Sequence, residues 1–104
     1  MSQAENILQQ TLDFITSTFV GDVENVSEYL TKAIESNKES LEQLLEARTQ
    51  NLISKLEFEF ELQRELMVFK TQLLTTSLMT KATINKICDV AFKQIVKLVV
   101  NPIA

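Results

Sequence analysis

Residues Leu56–Phe69 read LEFEFELQRELMVF, and the fold turns on whether this stretch is a strand or a helix. Leu56, Phe58, Phe60 and Leu62 alternate with Glu57, Glu59 and Glu61, which is the period of a half-buried strand. On a helical wheel at about 100° per residue the same residues separate into two apolar stripes. With Leu56 at zero, Ile53, Phe60, Met67, Leu74 and Leu78 fall within roughly 0–60°. Phe58, Leu62, Leu66, Phe69 and Leu73 fall at about 200–280°. Glu57, Glu61, Glu65 and Gln72 form a polar strip between them. The helix accounts for Leu66, Phe69 and Leu73, which strict alternation does not, and glutamate fits strands poorly. The sequence therefore predicts a helix, with the strand as the competing reading.

Outward from this stretch the chain also reads as helix. Leu8, Leu12, Ile15 and Phe19 form one stripe of a first helix over 3–20, with Ser2 and Glu5 placed for a capping box. Gly21-Asp22 is the clearest break, because Gly accepts the left-handed conformation that ends helices and Asp can cap the next one. Val23, Val26, Leu30 and Ile34 repeat the stripe through residue 35. Residues 35–43, ESNKESLEQ, carry a second break, with Ser36/Glu39 and Ser40/Gln43 both spaced as capping boxes. From Leu41 no Gly or Pro occurs until Pro102. Residues 75–83, TTSLMTKAT, are a soft spot of hydroxyl and β-branched residues where a bend is expected. The last segment, Lys81–Val100, places Ile84, Ile87, Cys88, Ala91, Ile95, Leu98 and Val99 at helical spacing, and Asn101-Pro102 ends it.

The expected fold is a single all-α domain over 1–104. Two short helices in 1–35 precede a long helical segment, 41–100, that is either one helix or a hairpin bent near 75–83. One Gly and one Pro in 104 residues leave few of the tight turns that an all-β fold needs. As a single helix, 41–100 would run about 90 Å, against about 25 Å for each N-terminal helix. Two stripes need two sets of partners. One set can come from the same chain and the other from a neighbouring copy, or the helix can lie at the centre of a monomeric bundle. Length favours assembly, because the short helices could not cover two stripes over about 90 Å and an uncovered apolar stripe assembles or aggregates. A protein interface is therefore expected at Phe58, Phe60, Leu62, Leu66, Met67, Phe69, Leu73 and Leu74. Phe69→Glu is expected to abolish assembly with helix content nearly unchanged, since Glu is a good helix former.

Charge is divided along the chain. Residues 1–65 hold 13 acidic and 5 basic side chains, and residues 66–104 hold one acidic residue and 5 lysines. Such polarity suits packing between acidic and basic segments. Nucleic acid is a poor fit, because the basic part has no Arg and only Phe92 as an aromatic after Phe69, so no stacking platform forms. The start, MSQAENILQQ, lacks the basic region and apolar core of a secretory signal. No apolar run approaches the roughly 20 residues of a membrane span.

Catalytic chemistry is not visible. With no His, the commonest general base and metal ligand is missing. Glu57, Glu59, Glu61 and Glu65 would make at most a weak hard-cation site and read better as a solvated acidic face. Cys88, the only cysteine, lies on an apolar face without an activating partner and reads as a small buried residue. A single Gly rules out a Gly-rich phosphate loop. No enzyme activity, metal or cofactor is expected. The lysines of 81–100 allow contact with a membrane surface, although snorkelling lysines on a bundle helix produce the same pattern.

Residues 61–100, ELQRELMVFKTQLLTTSLMTKATINKICDVAFKQIVKLVV, resemble the C-terminal half of the small inner-rod and needle subunits of bacterial type III secretion systems. The likeness lies in a Gln-containing amphipathic helix, the TSLMTKAT stretch, and a terminal helix carrying Lys86-Ile87-Cys88-Asp89. Needle subunits usually turn at a Pro-containing loop, whereas ESNKES has none, and the N-terminal third has no counterpart. The resemblance implies a secreted or envelope structural subunit that polymerises helically around a conduit, with Ser2–Gln10 as an unfolded export signal. The alternatives are a cytoplasmic helical adaptor or small chaperone that binds a partner helix, and a peripheral membrane protein that uses its basic C-terminal helix.

Overall fold

A computed structural model of the chain describes residues 2–100; the expected stop at Asn101-Pro102 lies outside them. Leu56–Phe69 is helical throughout. The described residues form five helices and no strand: α1 (Gln3–Phe19), α2 (Val26–Glu35), α3 (Lys38–Thr49), α4 (Lys55–Thr76) and α5 (Lys81–Val100).

The single long segment expected over 41–100 is three helices. Its first interruption, at Gln50–Ser54, has no Gly or Pro to announce it. Asn51 takes the left-handed conformation at φ 59°, which Asn tolerates better than most residues. The Asn51 N–H donates to the Arg48 carbonyl at 3.0 Å and the Leu52 N–H to the Ala47 carbonyl at 2.8 Å. These are the paired bonds of a Schellman ending with Asn in place of Gly. Ser54 then caps α4, its hydroxyl accepting from the Glu57 N–H at 3.1 Å. The second interruption falls at Ser77–Thr80, inside the expected soft spot. There the Ser77 hydroxyl donates to the Leu73 carbonyl at 2.7 Å, and Thr80 Oγ1 accepts from the Thr83 N–H at 3.1 Å.

The N-terminal breaks also differ in detail. Ser2 and Glu5 form the capping box in both directions. Gly21, however, is not left-handed, and α1 ends at a right-handed Val20. The left-handed residue of this break is Asn25 at φ 61°, which stands before α2 where Asp22 was expected. Neither capping box in 36–43 forms. Asn37 occupies the cap position of α3 without a capping bond. Its amide instead donates to the backbone carbonyl and Oε1 of Glu65, each at 2.9 Å. The Ser40 hydroxyl donates to Glu65 Oε2 at 2.7 Å. Thus the α2–α3 turn is tied to the middle of α4.

With α4 only 22 residues long, about 33 Å, the other helices can cover its inner face. Helices α1, α2, α4 and α5 neighbour one another in a ring in that order, and α3 touches all four. One continuous core results, with Ile15 from α1, Leu30 from α2, Leu41 and Leu45 from α3, Phe58, Leu62, Phe69 and Leu73 from α4, and Ile84, Ile87 and Ile95 from α5.

Candidate functional site

The two stripes of α4 have different fates. Phe58, Leu62, Leu66, Phe69 and Leu73 lie in the chain's own core, covered by the chain's other helices, with Leu66 at the floor of a groove against α5. Phe60, Met67 and Leu74 remain outside. With Leu56 they form an exposed line on α4, 81% for Leu56, 63% for Phe60, 67% for Met67 and 45% for Leu74; Leu78, 92% exposed, lies beyond the helix after the extended Ser77. Leu56 and Leu78 belong to the same wheel sector but were not among the residues expected at the interface. They sit at the first turn of α4 and just beyond its end. Leu52, at the preceding loop, is exposed as well.

The stripe borders a groove against α5, where Gln63, Met67 and Lys70 face Asn85, Asp89 and Phe92. Cys88 lines this groove and is partly buried. Burial pushes its thiol up from 9.0 to about 11; Lys70 opposes the rise and Asp89 adds to it. The thiol is therefore protonated at neutral pH and a poor nucleophile. Because its folded pKa lies above its unfolded one, the folded state should lose stability as pH rises from about 9 to about 11, and a Cys88→Ala chain should lack that decline. Urea melts of both proteins between pH 8 and 11 check this. At pH 7 Cys88→Ala should cost about 1 kcal/mol and leave association unchanged.

The glutamates of α4 are engaged separately. Glu59 lies 3.8 Å from Lys55 and Glu61 lies 3.4 Å from Arg64, while Glu65 holds Asn37 and Ser40. Among the described residues, no three His, Cys, Asp or Glu side chains come together as a metal site. In α5, Ile84, Ile87, Ala91, Ile95 and Val99 point into the core and Lys81, Lys86, Lys93 and Lys97 point out. The apolar side of the basic helix is thus packed in the core and its lysines face outward. No helix among the described residues is long and apolar enough to cross a membrane. Ser2–Gln10, which the secretion-subunit resemblance reads as an unfolded signal, belongs to α1 and its cap and contributes Ala4, Ile7 and Leu8 to the core.

Comparison with protein families, curated proteins and solved structures finds no match to this chain.

Proposed function

We propose that the chain is a non-enzymatic helical assembly subunit that docks onto protein through the outer face of α4. The observation that carries this reading is the exposed line Leu56, Phe60, Met67, Leu74. Four large apolar side chains are aligned along about 27 Å of helix in a chain whose core is otherwise closed. Single exposed apolar residues are ordinary on protein surfaces. Four on one side of a single helix, spaced by 4, 7 and 7 residues with polar residues between them, give a partner a line of anchors. Burying one such residue contributes at most about 1.5–3 kcal/mol, so the row can hold a partner after the cost of association is met.

A type III secretion setting, with the chain as a secreted or envelope subunit, rests on the likeness of residues 61–100 alone. The closed core favours a second reading, a helical adaptor that folds alone and receives a partner helix on α4. Sedimentation across concentration, with circular dichroism, tests the assembly reading. Wild type should associate, and Phe60→Glu should remain monomeric with unchanged helix content, because that side chain already faces water. A monomeric wild type at high concentration would put the adaptor reading ahead. Equal association of Phe60→Glu and wild type would remove α4 from the interface.

A further inference from the structure

The solvent side of α5 carries a ridge of one sign of charge. With Lys86 at zero on a helical wheel, Lys93 and Lys97 fall within about 20° of it, over roughly 16 Å of helix. All three are exposed. The buried Ile84, Ile87, Ala91 and Ile95 lie about 100–180° away. Among the described residues, no lysine of α5 stands in an ion pair. The one acid of the helix, Asp89, lies toward α4, where it lines the groove with Lys70.

The packing keeps other acids away from this ridge. Helix α1 neighbours α5 on one side and α2 on the other, and it directs Glu5 and Asp13 into its groove with α2. Its opposite flank carries Asn6, Gln10 and Phe14, about 100–180° from Glu5 and all uncharged. Apart from Asp89, every acidic side chain lies on α1–α4 or their loops. A chain of net charge −4 therefore presents one basic side, and that side is separate from the apolar row of α4.

We infer that the Lys86, Lys93, Lys97 ridge docks by charge on the surface of an anionic lipid bilayer. The apolar side of α5 stays in the core, so the helix rests on the headgroups and does not enter the acyl layer. The ridge holds lysine and no arginine. An ammonium on a flexible stem lacks the planar fork that grips one placed carboxylate from two sides. A row of such point charges suits a plane of many anionic headgroups. The negative net charge does not prevent the contact. At about 0.1 M salt, screening acts over about 10 Å, whereas the molecule is 23 Å across its narrow directions. The bilayer therefore feels the ridge and is screened from the acidic far side.

Co-sedimentation of the full chain with vesicles tests this, using phosphatidylcholine alone and phosphatidylcholine with about one-third phosphatidylserine, at about 0.1 M salt. Wild type should bind the anionic vesicles at least about fivefold better than the neutral ones and lose that excess at about 0.5 M salt. The triple variant Lys86→Gln, Lys93→Gln, Lys97→Gln should lose most of the excess with unchanged circular dichroism, because those side chains face water. The triple variant Lys32→Gln, Lys38→Gln, Lys55→Gln removes the same charge from α2, α3 and α4 and should bind as wild type does. Equal binding to both kinds of vesicle, or an equal loss in the two variants, would overturn the proposal. If immobilised polyglutamate retains wild type but not the ridge variant, and the anionic vesicles retain neither, the partner is an acidic protein segment and not a lipid surface. The assembly reading concerns α4 and stands or falls independently of these outcomes.

Discussion

Phe69→Glu is expected to abolish the folded state. Phe69 is 1% exposed, in the core between α4 and its neighbours. Removing a buried Phe side chain costs about 3–5 kcal/mol, and the new carboxylate would lie in apolar surroundings without a partner. A chain of this size has about 5–15 kcal/mol of stability in total, so one substitution can consume it. Far-ultraviolet circular dichroism and a urea melt should show lost helix and no cooperative transition. This reverses the expectation drawn from the helical wheel alone, in which Phe69→Glu blocks assembly and leaves the helix intact. The reason is that the stripe containing Phe69 is satisfied within the chain. A well-folded Phe69→Glu monomer would show that α4 is rotated from the orientation described.

Phe58→Ala and Phe60→Ala, only two positions apart, should differ by several kcal/mol in stability. Phe58 is fully buried and Phe60 is 63% exposed. Truncating the first should cost about 3–5 kcal/mol, whereas truncating the second should stay within about 0.5 kcal/mol. The pair also tests the ambiguity in LEFEFEL. In a strand the two rings would share a face and both substitutions would act alike. In a helix they lie about 200° apart. Urea melts measured at a concentration that keeps both variants monomeric separate the cases, and equal losses would rule out the helix orientation found.

The all-helical class was legible because the apolar spacing persists through Leu62, Leu66, Phe69 and Leu73, beyond the reach of the alternation. The grouping of α4 into two stripes was legible for the same reason. Which stripe faces the core was not, because periodicity fixes the angle between residues and not the position of neighbouring helices. The break at Gln50–Ser54 was hidden by reliance on Gly and Pro as markers. Asn51 followed by Ser54 and Glu57 supplied a usable signal: a residue able to turn left-handed, then a hydroxyl cap with an acid three positions on. Missing that break produced a 60-residue helix that nothing could cover, and from it the expectation that Phe58, Leu62, Leu66, Phe69 and Leu73 required a neighbour. The bonds of Asn37 and Ser40 to Glu65 span 28 and 25 residues, and no local pattern encodes them.

The adjacency of α1 and α5 has a consequence for the order of folding events. Helices α1 and α2, and likewise α4 and α5, meet by closing loops of a few residues, but the ring closes only when the ends of the described chain find each other. The entropic cost of loop closure grows with loop length, and distant contacts are reached slowly. The local pairs of α1 with α2 and of α4 with α5 should therefore form before α1 docks on α5. A substitution that weakens only the α1–α5 contact would then accelerate unfolding and leave the folding rate nearly unchanged. Slowed folding would instead place that contact in the nucleus.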